Sequence, residues 1–349
     1  MTLLRSPVDF AYEDVTPGGV IERARVYYPA RLTVGEFRRN PFVPPIAVGG
    51  RLPPGREPAR LPILEIRPGE YPLVAFIHGQ RSDAGFCPPD ATEDYRRWVA
   101  VLHLLARCGI VVVVPDVSET LASGNENEAV PNTASAVAEV IRWMFDAWEH
   151  REVLTPPGAW PGSGWLGLAG HSWGAAACGE IVATADLPVR AVAAIAGTWT
   201  HHGSRQALAA TRIPKLFITG TNDNNLLGIG LLPYDDAPAS KHHAAFQGAG
   251  HWDWFPEGGA SIYPCSGETD NPCVATWQAA SELMLVFFYK YLFNQWFLRP
   301  YLMTSPGGRP PILDAFAHGT GCALRVRWDT VSDGVGEISL GEWTESAPW

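Results

Sequence analysis

Short, unbroken apolar runs alternate along this chain with longer stretches of helical period. Leu73 to Ile77 (LVAFI), Ile110 to Val114, Trp165 to Ala169, Val189 to Ala196 and Ile213 to Gly220 are too short for helices. They are also too uniformly apolar for strands with one wet face, and they read as strands covered on both sides in a parallel sheet. Between them, Glu93 to Arg107 sets Trp98, Val101, Leu102 and Leu105 at helical spacing, with Gly109 as a stop. Asn132 to His150 repeats the period through Val137, Val140, Ile141, Met144, Phe145 and Trp148, after the start signal Pro131-Asn132-Thr133. Ala275 to Phe297 predicts a third long helix, and the segment between Ala196 and Ile213 has room for one more. An alternating β-rich stretch, Val20 to Pro29, predicts an early strand, and His243 to Gln247 a last strand before the final helix. Strands interleaved with helices in this way specify an α/β protein with a mostly parallel, doubly wound sheet flanked by helices.

Two regions break the pattern. Residues 31–69 are dense in Pro, Gly and Arg, with one further strand predicted around Ile63 to Ile66; unpatterned stretches this long are uncommon unless packed or functional. The tail from Tyr301 alternates like strands over Ala323 to Trp328 and Glu337 to Trp343. The expected organisation is one catalytic α/β domain over 1–300, containing 31–69 as an irregular excursion. Residues 301–349 form a C-terminal extension of β character packed on the same domain.

Composition narrows the partners. With 26 Lys and Arg against 36 Asp and Glu, a net charge of -10, the chain lacks a basic footprint for nucleic acid or anionic membrane. No window reaches the roughly 18 uninterrupted apolar residues of a membrane span. The opening MTLLRSPVDF has no continuous apolar leader, so a cytoplasmic location is expected, or a secreted one if a leader has been removed. The six cysteines form no Cys-x-x-Cys pair and no metal grouping with histidine, and no metal or organic cofactor is expected. Most read as buried thiols; Cys265 and Cys273 bracket a loop that a disulfide could close in an oxidising compartment.

The chemistry centres on Leu166 to Ala177 (LGLAGHSWGAAA), where an apolar strand meets Gly170-His171-Ser172-Trp173-Gly174 and then a small-residue helix start. In that context Gly-x-Ser-x-Gly is a sharp strand-to-helix turn that exposes the serine at a helix N-terminus. Ser172 is therefore the candidate nucleophile. A serine hydroxyl needs a general base, and the base needs an orienting group. Asp223 stands just past the strand PKLFITG, and His251 lies in Gly248-Ala249-Gly250-His251-Trp252 after the last predicted strand, giving the chain order Ser, acid, His. Asp116 follows the wrong strand, while Asp235, Asp236 and Asp253 sit on loops of unfixed placement. His78 and His171 belong to other motifs, and His201, His202, His242 and His243 lie off any glycine-rich loop. For an oxyanion, the Trp173 amide follows from the turn. The second amide is expected from the loop after LVAFI, assigned to Gln80 with Arg81 as the alternative.

Through LVAFIHGQ, GHSWG, TGTND and GAGHWDW the chain resembles the α/β-hydrolase superfamily, over about Arg25 to Pro29 and Tyr71 to Phe297. RVYYP and YPLVAFIHG are similar to the branch containing chlorophyllases, platelet-activating-factor acetylhydrolases and cutinase-like polyester hydrolases. That resemblance implies that Trp199, after the strand following the turn, clamps an acyl chain; the alternative is a packing tryptophan. Trp252 and Trp254 either wall the pocket or fill the core. The short span between Ala196 and Arg212 leaves little room for a large lid, which favours a soluble or short-chain ester over bulk lipid. The expected activity is a serine carboxylic-ester hydrolase acting on a small-molecule or polymeric ester. Amidase, peptidase or acyltransferase chemistry on the same residues, or a non-catalytic binding protein of this fold, are the alternatives.

Overall fold

A computed structural model of the chain describes residues 9–30, 71–80, 95, 98–123, 125–155, 165–199, 202–223, 234–238, 240–254, 276–293, 323–330 and 334–340. The excursion 31–69 with its expected strand, the Cys265 to Cys273 pairing, His201 and Arg81 lie outside the described residues.

The strands are β1 (Asp9–Val15), β2 (Ala24–Ala30), β3 (Leu73–Ile77), β4 (Val111–Pro115), β5 (Leu166–His171), β6 (Val189–Ile195), β7 (Lys215–Gly220), β8 (Lys241–Phe246), β9 (Leu324–Thr330) and β10 (Gly334–Leu340). Interleaved with them run helices α1 (Val99–Arg107), α2 (Glu126–Asp146), α3 (Trp173–Thr184), α4 (His202–Ala210) and α5 (Thr276–Leu292). All ten strands form one sheet in the order β1-β2-β4-β3-β5-β6-β7-β8-β9-β10. The six from β4 to β8 are parallel, and an antiparallel hairpin closes each end.

The unbroken apolar runs are explained by cover on both faces. Along β3, Val74 and Phe76 join the core beneath α1 and α5, while Leu73, Ala75 and Ile77 join the one beneath α2, α3 and α4. β4 divides likewise, with Val112 and Val114 on the first face and Val111 and Val113 on the second. Every residue of both strands is buried. At about 1.5–3 kcal/mol per buried aliphatic side chain, these two strands anchor the middle of the sheet.

Two elements differ from the sequence reading. β1 was not predicted; DFAYEDV carries three acids and sits at the sheet edge, where alternation is diluted, and Asp14 accepts a two-pronged hydrogen bond from Arg25 of β2 at 2.7 and 3.0 Å. α2 starts at Glu126, six residues before the expected Asn132. Asn125 caps it by accepting from the Asn127 amide at 3.1 Å, and Glu126 and Glu128 complement the dipole. Pro131 therefore lies inside the second turn, where its missing amide removes one helical hydrogen bond, instead of marking the start. The tail stretches read as strands, Ala323 to Trp328 and Glu337 to Trp343, overlap β9 and β10. β9 pairs with β8 over six registered positions, with the alternating burial of a strand that has one wet face.

Candidate active site

Ser172 occupies the single residue between β5 and α3, with φ 55° and ψ -125°. A non-glycine residue there is strained by about 1–3 kcal/mol. Its amide donates to the Ile195 carbonyl at 3.0 Å, and its carbonyl accepts from the Ala175 amide at 3.0 Å, so both neighbouring elements hold the strained turn. The flanking glycines are required by space. A Cβ on Gly170 would lie 2.5 Å from the Gly174 carbonyl, and one on Gly174 would lie 2.1 Å from the Ile77 oxygen of β3. Strand, helix and the end of β3 thus converge on one side of the serine.

Asp223 and His251 arrive on two loops tied to each other. The Asn222 amide donates to the Ala249 carbonyl at 2.9 Å, and the Gly248 amide donates to Thr221 Oγ1 at 2.8 Å. His251 Nδ1 is 2.9 Å from Asp223 Oδ2 and 3.1 Å from Oδ1, and its Nε2 is 2.9 Å from Ser172 Oγ. With the carboxylate facing Nδ1, the proton sits there, which leaves the Nε2 lone pair for the serine hydroxyl. Asp223, His251 and Ser172 are 0%, 1% and 5% exposed, so these contacts are shielded from bulk water. The competing residues are occupied elsewhere. Asp116 pairs with Arg23, Asp235 with Arg327, and Asp236 with Arg205. His242 meets the Tyr291 hydroxyl, and His243 accepts from Arg327 Nε.

Sequence reasoning set aside two residues that the fold brings to this centre. His171 donates from Nε2 to the His251 carbonyl at 2.9 Å, and its ring lies 4.8 Å from that of His251. Burial, and then the neighbouring His251, hold its pKa well below the ordinary histidine value, so it stays neutral beside that ring. Asp253 Oδ2 accepts from the Gly250 amide at 2.7 Å and braces the turn that presents His251. The only sequence signal for either was proximity to a motif.

The Trp173 amide belongs to the first turn of α3, where helical geometry supplies no carbonyl partner. Gln80 is half-buried on the loop after β3, and that loop abuts the serine: a Cβ on Gly79 would lie 2.8 Å from Ser172 Cβ. Trp252 is half-buried, edge-on to His251 at 4.9 Å and 5.2 Å from His171. Trp199 is buried among the residues under α2 to α4, edge-on to Phe217 at 6.0 Å, and Trp254 is buried against Phe246. Among the described residues no group of three or more His, Cys, Asp or Glu side chains could hold a metal, and no helix is long and apolar enough to cross a membrane.

The sheet order, the turn at Ser172 and the strand-end loops define an α/β-hydrolase fold. The chain is similar in structure to a ferulic acid esterase from Streptomyces cinnamoneus, with a TM-score of 0.53 and 17% identity over 83% of this chain and 92% of that one. It is also similar to a dienelactone hydrolase from Anabaena variabilis, with a TM-score of 0.50 and 15% identity over 81% of this chain and 99% of the other. No protein-family model and no curated protein matches the sequence.

Proposed function

We propose that this chain is a serine hydrolase of carboxylic esters. The observation that carries the reading is the continuous contact from Asp223 Oδ2 through His251 to Ser172 Oγ, 2.9 Å at each step, on a strained serine at a helix N-terminus. Ser172 Oγ attacks the ester carbonyl while His251 Nε2 takes its proton, and Asp223 stabilises the imidazolium that forms. The Trp173 and Gln80 amides receive the oxyanion. Collapse expels the alcohol, which takes the proton from His251, and leaves an acyl group on Ser172. Water, activated by His251, then releases the acid. Neutral His171 beside His251 spares the transient imidazolium a second positive neighbour.

An ester is favoured over other acyl substrates by the two similar structures, one an esterase and one a hydrolase of a dienelactone, a cyclic ester by name. Trp252, half-buried against His251, is assigned as a pocket wall, which suits an apolar acyl or alcohol group. Trp199, packed on Phe217, is assigned to the core beneath the site. The test is turnover of p-nitrophenyl esters by the wild type and Ser172→Ala, with labelling by a fluorophosphonate probe. The variant is expected to lose both turnover and labelling. Undiminished turnover would overturn the proposal.

A further inference from the structure

Lys215 and Lys241 are the first residues of β7 and β8, at the edge of the sheet opposite the loops that carry Asp223 and His251. Their Cα atoms are partners in register across strands about 4.8 Å apart, so both side chains leave the same face. It is the face of Phe217 and Tyr234, beneath α2 to α4. Both lysines are buried, Lys215 at 1% exposure and Lys241 at 8%. Lys215 Nζ donates to the Thr211 carbonyl just past α4 at 2.6 Å, which leaves two of its three N–H groups for another acceptor. Lys241 Nζ donates to the Asp235 carbonyl at 3.4 Å and lies 4.9 Å from the centre of the Tyr234 ring.

The other cations around the Tyr234 turn each have a carboxylate. Arg327 pairs with Asp235, Arg205 with Asp236, Arg325 with Glu337, and Lys241 with Asp329 at 3.8 Å. No carboxylate among the described residues pairs with Lys215, and residues 224–233, which lead into Tyr234, contain no Asp or Glu. The carbonyl end of α4 supplies about half a negative charge, short of what a buried ammonium requires. Burial, and then Lys241, push the Lys215 pKa down to about 8. Tyr234 and His243 add no charge here, because burial raises the first to about 12 and holds the second well below the ordinary histidine value. Two ammoniums therefore face one carboxylate, a surplus that a single negative charge removes. We infer that Lys215 and Lys241 form a binding site for a small carboxylate, one oxygen on each ammonium. The site lies outside the ester-hydrolase reading and does not depend on it.

The test uses sodium acetate as the probe, on wild type, Lys215→Met and Ser172→Ala, with sodium chloride at matched ionic strength as the control. Acetate at about 50 mM should raise the wild-type Tm by about 2 °C more than chloride does, the shift for a Kd near 10 mM. Lys215→Met should lose that difference, and Ser172→Ala should keep it. Calorimetry in two buffers of different ionisation heat counts protons, and acetate itself does not titrate near pH 8. Binding holds Lys215 charged, so about half a proton should be taken up per acetate at pH 8, where Lys215 is half charged, and almost none at pH 6. Lys215→Met removes a buried cation and should fold; if it does not, Lys241→Met carries the same comparison. Equal effects of acetate and chloride on wild type, an acetate response that survives Lys215→Met, or binding at pH 8 without proton uptake overturns the inference. Loss of the response in Ser172→Ala would also overturn it, by placing the anion at the other end of the sheet.

Discussion

Replacing Gly174 with alanine sets two rules against each other. Gly174 is the second residue of α3, and alanine is favoured over glycine in a helix interior by about 1 kcal/mol, so propensity alone predicts a more stable protein. The new methyl, however, would stand 2.1 Å from the Ile77 carbonyl oxygen and 2.5 Å from that of His78. To reach 3.4 Å, where ordinary contact begins, the nearer oxygen must retreat from 2.1 Å by about 1.3 Å. The obstacle is backbone of β3, paired on both sides with β4 and β5, so no side chain can rotate away. Overpacking of a rigid site costs about 1–3 kcal/mol or more, which outweighs the helical gain near the end of a helix. The effect on catalysis should be larger than that on stability. The shift separates the Gln80 loop from Ser172 by about an ångström, and a displacement of that size costs on the order of 100-fold in rate. Thermal unfolding followed by circular dichroism, together with kcat/KM on a p-nitrophenyl ester, measures both terms. The expected result is a lower Tm with a roughly 100-fold loss of kcat/KM; a Gly174→Ala protein with a raised Tm and wild-type kcat/KM would refute the reasoning.

Three further outcomes follow from the same geometry. Asp223→Asn leaves His251 without a carboxylate and offers it an amide, favouring the wrong tautomer; kcat should fall about 10⁴-fold with little change in KM, read from steady-state kinetics. His171→Phe keeps an aromatic ring but removes the donor to the His251 carbonyl, and should lower kcat about tenfold while fluorophosphonate labelling of Ser172 persists at a slower rate; unchanged kcat would deny His171 a positioning role. Burial lowers the pKa of His242 to about 3, against 6.5 in an unfolded chain, so between those values the unfolded state binds the extra proton. Stability is therefore present above pH 6.5 and drains away as pH falls toward 3. Urea unfolding of His242→Phe across pH 4 to 6 should show a slope shallower by about 1.4 kcal/mol per pH unit than wild type, and equal slopes would contradict this.

What the sequence made legible was local or repeated. LVAFI and the valines of β4 are apolar at every position because both faces are covered, and such runs need no partner to be recognised. Gly170 to Gly174 carries its geometry within five residues, and Asp223 and His251 each stand directly behind a strand end, so strand order alone brought them to Ser172. The misreadings share a cause. Pro131 carries a local start signal that Asn125 and two buried residues, Ala129 and Val130, override by extending α2 backward into the core. His78 and His171 act on backbone atoms 39 and 80 residues away, at Val117 and His251, and no spacing rule records a bond to a carbonyl or an amide. β1 is recognisable only beside β2, through pairs such as Tyr12 with Tyr27 and Asp14 with Arg25.

The pairing of β8 with β9 places a clock on synthesis. Phe246, at the end of the strand that leads to His251, is registered against Leu324, and the Gln247 amide donates to the Ala323 carbonyl at 3.0 Å. Leu324 is translated 78 residues after Phe246. At 5–20 residues per second the emerging chain carries an open β8 edge for about 4–16 s, the interval in which an unpaired strand is most exposed to pairing with a neighbouring nascent chain. Through this window the chain holds both Ser172 and His251 but not the strand that covers the β8 edge. Coverage of the β8 edge over that interval is therefore expected to raise the yield of folded protein without altering any contact at Ser172.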